Sequence, residues 1–481
     1  MDRSVTDDKR IIKIFGCILA VYAALAVIFF FLAGEQLKFR ESRGNIDLVT
    51  ADSGSIELSD GAVVEQVFVA KVDRIESVSV QFGAYYRANS GTLRMELVRP
   101  STGDVLLEYT TGVSGFTEGT VVEMKSEVPV ENPGHEPLVI RLSADSPEGN
   151  GVTPLVFSGE PKEGYELKFN GESAGNTLCI SVKGLDYIWT GSHYWTLVIS
   201  VGVILAGFFA VLRFRYKAGK RSYIIGALLA VRKYKFLINQ LVGRDFKTRY
   251  KRSVLGALWS VLNPLLMMVV QYYVFSTIFK SDVPNFAVYL LIGLVMFNFF
   301  SEATGLTLTS VVGNAGLITK VYMPKYIYPL TRTMSSLINF ALSLIPLIVM
   351  CIATGVKFHK SAFLALFFFV CLVIFVLGLG MMLSTSMVFF RDTQFLWGVL
   401  SLMWMYATPI FYPERIIPEN MRGIFKLNPM YHFVKNVRIC ILDGISPEPM
   451  NYFICFVIAL GMLALGSLVF RKEQDKFILY L

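Results

Sequence analysis

The sequence predicts a polytopic α-helical membrane protein of about eight spans, both termini cytoplasmic, with an all-β sandwich of jelly-roll-like strand spacing inserted on the outer side. Three observations predict it. Of 481 residues, 54% are hydrophobic and 17% charged, too apolar for a soluble chain of this length. Apolar runs long enough to cross a hydrocarbon core of about 30 Å, at roughly 1.5 Å per residue, recur along the chain. Between them, residues 45–187 switch to short alternating segments separated by Gly, Pro, Asn and Ser, the pattern of antiparallel strands. The formal charge of +8 sits in Lys and Arg clustered beside the spans, which reads as membrane orientation rather than nucleic-acid binding.

The first span is Ile11–Ala33, closing a segment 1–33 whose Arg10 and Lys13 hold its start inside. A cleaved signal peptide is the alternative, although the run exceeds a usual signal core. Either way residues 34–190 lie outside. There VVEQVFVA, SVSVQFGAYY, TLRMELV, DVLLEYT, PLVIRLS and YELKFN alternate or run apolar, as the strands of a sandwich do. Its one cysteine, Cys179, excludes an internal disulfide, and about 140 residues suffice to bury a core without one. Tyr85, Tyr86 and Arg87 form a candidate glycan platform, because aromatic faces stack on pyranose rings. Core packing is the other reading of the two tyrosines.

A second span, Trp195–Leu212 within 191–213, returns the chain to the inside, where RFRYKAGKR follows. Residues 214–253 are basic and amphipathic. Over Val231–Arg252, Tyr234, Ile238, Leu241 and Val242 recur at helical spacing opposite Arg232, Lys233, Lys235, Arg244 and Lys247, which predicts one helix in the cytoplasmic interface. Anchorage to anionic lipid alone would also account for it.

Residues 254–481 read as a core of six spans: Val254–Phe279, Phe286–Thr304, Arg332–Ala353, Ala362–Phe390, Phe395–Phe411 and Tyr452–Phe470. Lys320, Lys325, Arg391, Arg471 and Lys472 then all fall inside. Trp259, Asn263, Val270 and Tyr273 share a stripe of the first core helix, and Trp397, Trp404 and Phe411 recur every seven residues on the fifth. Such stripes serve packing or the lipid belt, or line a path along which sugars slide. In the outer loop, Pro409, Pro413, Pro418 and Pro429 forbid one continuous helix, so residues 412–449 are expected to be re-entrant or interfacial pieces.

Catalytic signatures are missing from the sequence. No G-x-x-x-x-G-K-[ST] phosphate cradle occurs, since Gly219-Lys220-Arg221-Ser222 lacks both the upstream glycine and a hydroxyl next to the lysine. His135, His193, His359 and His432 are isolated, and no cysteine pair has metal-ligand spacing. Asp392 is the lone core candidate for an integral-membrane glycosyltransferase, and a lone Asp is ordinarily a solvated turn.

The run RDFKTRYKRSVLGALWSVLNPLLMM from Arg244, with its Asn263-Pro264 pair, closely resembles the start of the membrane subunit of ABC exporters of polysaccharide, the O-antigen, teichoic acid and capsule type. The resemblance covers the chain from near Val231 onward, so the first two spans and the β-domain look like an addition. It implies that the basic segment is a cytoplasmic gate meeting the anionic head of a lipid-linked polysaccharide, with Arg244, Lys247, Arg249, Tyr250 and Lys251 near that head. Channel-lining candidates are Trp259, Asn263, Tyr273, Trp397, Trp404 and Phe411. The loop Gly313–Leu330, whose Met323-Pro324-Lys325 resembles the family's coupling signature, would dock on the ATPase through Asn314, Lys320, Met323, Pro324 and Lys325. Asn428-Pro429 would start the second outer-mouth helix. The resemblance further implies a homodimer with two copies of a separate ABC ATPase, which alone binds ATP and Mg, in a bacterial cytoplasmic membrane. An exporter of another lipid or drug-like substrate, and a receptor or scaffold using the outer domain, are the competing readings.

Overall fold

The computed structural model describes residues 2–48, 50–159, 164–218, 222–251, 253–278, 283–320 and 323–481. The chain divides into two compact units, Lys38–Tyr194 and a second comprising Met1–Leu37 with Trp195–Leu481.

The first unit is all β, in two antiparallel sheets. One runs in the order Glu172–Ala174, Glu166–Phe169, Val63–Val69, Pro137–Asp145, Thr92–Val98, Val105–Gly112. The other orders Phe39–Glu41, Ile180–Tyr187, Arg74–Gly83, Thr153–Phe157 and Thr177–Leu178. Thr120–Glu131 also pairs with Arg74–Gly83, and Ser53–Gly54 with Thr153–Phe157. Alternation in the sequence becomes alternation in burial. Val64, Gln66 and Phe68 face inward opposite Leu142, Ile140 and Leu138, and together with Leu93, Met95, Leu97, Val78, Val80 and Phe82 they build a continuous apolar core. Gln66 is the polar exception: its Nε2 donates to the Val67 carbonyl at 2.7 Å and its Oε1 accepts the Leu178 amide at 3.0 Å, so the buried amide is satisfied and ties the two sheets together. Cys179 is a buried free thiol, pushed up to about 11 by burial and then by the charge of Asp52, and therefore chemically quiet at neutral pH.

The second unit is helical. Its longer helices are α1 (Asp2–Ala33), α2 (Tyr194–Lys217), α3 (Tyr223–Lys233), α4 (Lys235–Tyr250), α5 (Trp259–Tyr272), α6 (Phe286–Leu308), α7 (Ile327–Ala353), α8 (Ala365–Phe389), α9 (Thr393–Tyr406), α10 (Glu419–Lys426), α11 (Pro429–Arg438) and α12 (Pro449–Glu473). Among the described residues, six stretches are helical, long and apolar enough to cross a membrane: Arg10–Ala33, Tyr194–Lys217, Phe286–Leu308, Ile327–Ala353, Lys360–Phe389 and Pro449–Tyr480. The other two expected spans are built differently. α5 continues into a π-helical turn, Tyr273–Ile278, whereas α9 has 14 residues, about 21 Å at helical rise. It stops at Tyr406 because Pro409 and Pro413 follow, so Phe411 lies beyond the helix and off the expected seven-residue stripe. The amphipathic segment likewise forms two helices, broken at Tyr234 (φ −97°, ψ 13°).

α1 and α2 pair through stacked Phe15 and Phe209 rings 4.3 Å apart, the Tyr22 hydroxyl on the Val198 carbonyl at 2.8 Å, and an Asp8–Arg213 ion pair of 2.9 Å. α6 is the most enclosed of the candidate spans. α8 and α12 cross in backbone contact: a Cβ on Gly466 would lie 1.9 Å from the Gly378 carbonyl oxygen, and one on Gly378 would lie 2.5 Å from the Met462 oxygen. Small residues permit this approach where no hydrophobic effect drives helices together. Gly466→Val is expected to force the pair apart, costing at least about 1–3 kcal/mol and lowering the thermal midpoint in detergent. Gly461→Val, on the same helix with open space around it, is expected to leave the midpoint unchanged.

Candidate functional site

One end of the helical unit is built on α4. Its apolar residues Ile238, Leu241 and Val242 are buried, and Ile238 and Val242 join one cluster with Ile318, Met323 and Tyr326 of the following loop, Met381 and Val388 of α8, and Phe470 and Phe477 near the C-terminus. The opposite face is ionic. Asp245 accepts from Arg332 of α7 at 2.8 Å and from its neighbour Arg244 at 3.1 Å. Arg249 donates to Glu302 of α6 at 2.7 Å, and Asn339 of α7 donates to the same carboxylate oxygen at 2.8 Å. Charge within a span is costly unless paired, and here Glu302 of α6 and Arg332 of α7 each have a partner on α4.

The pairing sorts the expected head-group residues. Arg244 and Arg249 are held by carboxylates. Lys247 and Lys251 are exposed, and no carboxylate pairs with them among the described residues. The Tyr250 side chain lies outside the described part. In the loop, Asn314 is buried and donates to the Ser310 carbonyl at 2.7 Å. Lys320 is exposed, Met323 is buried and Pro324 is half-buried, while Val321 and Tyr322 lie outside the described residues. Lys325 donates to the Gln474 carbonyl at 2.5 Å and sits over the Phe477 ring. Burial pulls its ammonium below the ordinary lysine value, against the opposing charge of Asp475.

Between α6 and α9 runs a groove of about 440 Å³ lined by Phe297, Ser301, Thr309, Gln394, Trp397 and Ser401 among others. It carries hydroxyls and an amide in an apolar wall: Ser401 Oγ lies 3.4 Å from Ser301 Oγ, and Trp397 Nε1 donates to Thr304 Oγ1 at 3.2 Å. Of the aromatic candidates, only Trp397 borders this groove. Trp404 packs inward against Phe300 and Phe375, and Phe411 stacks on Phe275 at 5.3 Å. Trp259, Asn263 and Tyr273 are exposed along α5 and its π turn, so that stripe is left uncovered by the described residues. Tyr85, Tyr86 and Arg87 sit in the β unit, in the turn after Arg74–Gly83.

The opposite end of the helical unit is a hydrogen-bonded loop. Asn428 caps α11 by accepting the Met430 amide at 2.9 Å, with Pro429 at the first helical position. The same side chain accepts Trp404 Nε1 at 2.6 Å and donates to the Ala407 carbonyl at 3.0 Å. Arg438, at the end of α11 and 7% exposed, donates to the carbonyls of Pro409 (2.6 Å), Ile410 (3.0 Å) and Tyr289 (3.0 Å), with its guanidinium 3.3 Å from the Tyr289 ring centroid. The Tyr289 hydroxyl reaches the Tyr412 carbonyl at 2.9 Å. The residue list drawn from sequence omitted Arg438, Glu302, Asp245 and Arg332. For two of them a signal existed: Glu302 is the only charged residue of α6 and Arg332 the only one of α7, and a lone charge in a span is a functional flag.

The family description "ABC-2 type transporter" matches residues 237–442, from α4 through the outer loop and excluding the β unit. The chain is 28% identical over 245 residues to the O-antigen export system permease of Klebsiella pneumoniae, covering 50% of this chain and 93% of that one. It is 30% identical over 248 residues to the O-antigen export system permease of Myxococcus xanthus (51% and 95%), and 25% identical over 251 residues to the polysialic acid transport protein of Escherichia coli (50% and 95%).

Arg249→Ala and Glu302→Ala are each expected to lower the thermal midpoint, with the double variant losing less than the sum. A coupling of about 1–3 kcal/mol is expected, between the exposed and buried limits for ion pairs. Arg438→Met strands three carbonyls and is expected to cost at least about 3 kcal/mol. Arg438→Lys is expected to rescue little, since a point ammonium cannot span the fork. Thermal unfolding in detergent measures both.

Proposed function

The chain belongs to the polysaccharide-export permeases of the ABC-2 type transporter family, and from that premise we propose that it is the membrane subunit of an ATP-driven exporter. Its cargo is lipid-linked polysaccharide of the O-antigen, teichoic acid or capsule kind, moved across a bacterial cytoplasmic membrane with the β unit outside and both termini inside. Two copies work with two copies of a separate ATPase, which holds the ATP and Mg; this chain supplies no nucleotide site.

The observation that carries the reading is the single apolar cluster joining α4 to the loop around Met323. A push on that loop cannot leave α4 unmoved, because Met323 and Tyr326 share buried contacts with Ile238 and Val242. α4 in turn is tied to α6 and α7 by the Arg249–Glu302 and Arg332–Asp245 pairs. ATPase closure would thus shift the interfacial helix against the two spans. Lys247 and Lys251 offer charge to an anionic head group, and Arg244 and Arg249 can exchange a carboxylate for a phosphate oxygen with little change in hydrogen-bond count. Beyond them the groove at Trp397 combines ring faces with hydroxyls, giving weak, repeated contacts suited to a sliding glycan. The exposed α5 stripe and the open side of the groove fit a wall completed by a second copy in a two-fold dimer.

The test is ATP hydrolysis by this chain reconstituted in proteoliposomes with the ATPase encoded beside it, with and without lipid-linked polysaccharide. Glycolipid is expected to stimulate hydrolysis, and Lys247→Ala with Lys251→Ala is expected to raise the half-stimulating concentration about tenfold, near 1.4 kcal/mol. Failure to form a complex, or hydrolysis indifferent to glycolipid, overturns the reading.

A further inference from the structure

The β unit contains an open cleft of about 530 Å³, lined by Thr50, Asp52, Ser53, Gln81, Glu118 and Leu155 among others. Strand Arg74–Gly83 contributes Gln81 and then runs into a turn in which two successive tyrosines, Tyr85 (φ 55°) and Tyr86 (φ 52°), adopt left-handed backbone. Bulky side chains avoid that region, so the turn must be held from outside, and it is. Glu118 Oε2 accepts the Ala84 amide at 2.9 Å, Asn89 donates to the Ala84 carbonyl at 3.1 Å, and Arg87 pairs with Glu57 at 2.5 Å while lying 4.9 Å from the Tyr85 ring centroid. Arg87 therefore supports the turn rather than facing a ligand. Gly83 lets the Glu118 carboxylate lie flat on the strand, since a Cβ there would come within 2.7 Å of Glu118 Oε1. Strain that is fixed in this way points to a function for what it presents, which is the Tyr86 ring, 91% exposed.

The ring and the cleft are joined through Glu118, which lines one and anchors the other. The lining carries the carboxylates of Glu118 and of Asp52, which already accepts from Ser53 and Ser158, together with the Gln81 amide and the hydroxyls of Ser53 and Thr50. Its formal charge is negative, and Arg87, in the turn, is neutralised by Glu57. A polyhydroxylated ligand has donors for those acceptors and an apolar ring face for Tyr86, whereas a polyanion would meet two carboxylates.

We propose that this cleft, with Tyr86 at its rim, binds a short stretch of uncharged glycan. As a contact for exported product it rests on the exporter reading, and it narrows the cargo to polymers with neutral sugar segments. The full chain in lipid nanodiscs is titrated calorimetrically with mannohexaose, galactohexaose and hexagalacturonate. At least one neutral hexasaccharide is expected to bind, with hexagalacturonate at least tenfold weaker, and both Tyr86→Ala and Glu118→Gln are expected to weaken the neutral ligand fivefold or more. Both side chains are exposed, and unchanged thermal midpoints identify the variants as folded. Absence of neutral binding, equal binding by the folded variants, or equal affinity for hexagalacturonate overturns the proposal. Binding that survives while glycolipid fails to stimulate the reconstituted ATPase leaves the cleft standing and removes the exporter reading; the converse removes the cleft alone.

Discussion

One end of the helical unit depends on the guanidinium of Arg438. A carbonyl within a bilayer has no water to turn to, so non-helical backbone survives at that depth only where protein supplies donors. Pro409 breaks the helix after Tyr406 and frees the carbonyls of residues 409 and 410. Arg438 meets both, and the Tyr289 carbonyl as well, with one rigid five-donor group. Its position follows from Asn428, which starts the helix that ends in Arg438 and simultaneously bonds Trp404 and the Ala407 carbonyl. Prolines open the chain, an asparagine restarts it, and an arginine closes the gap.

The same helix, α6, serves all three parts of the site. Tyr289 near its outer end receives Arg438, Ser301 and Thr304 face the groove partners Ser401 and Trp397, and Glu302 meets the interfacial helix. Thirteen positions separate Tyr289 from Glu302, about 20 Å of helical rise. Being enclosed on nearly every side, α6 is a fixed frame. The elements around it, α4 within and the 407–428 loop without, are attached by polar contacts, which can break and reform in a way that packed side chains cannot.

What the sequence made legible was local. Period-two alternation located the strands, helical spacing put Ile238, Leu241 and Val242 on one buried face, and four prolines marked the broken outer loop. These signals come from neighbours in the chain. The expected Trp397, Trp404 and Phe411 stripe failed because it assumed a helix that Pro409 does not allow, and the single helix over 231–252 failed at Tyr234, where no glycine or proline warns of a break. Glu302, Arg332 and Arg438 went unselected because their roles are set by partners 28 or more positions away. The two strained tyrosines were noticed as aromatics, but the φ values that make them unusual have no trace in composition.

Under the exporter reading, the carboxylates beside the basic helix would answer a problem of selectivity. Each Lys or Arg near an anionic leaflet gains about 1 kcal/mol from it, so an unpaired row of cations would be occupied by bulk lipid and deaf to a rare head group. Asp245 and Glu302 remove two arginines from that competition while Lys247 and Lys251 still attract anions. An ordinary single phosphate must compete for Arg249 with a carboxylate that the Asn339 amide holds in place. A pyrophosphate, with more charge and more acceptor oxygens, can engage the lysines first and then displace the carboxylates. Under the exporter reading, the ion pairs that hold the interfacial helix against α6 and α7 thus also set the threshold a ligand must pass before the helix moves.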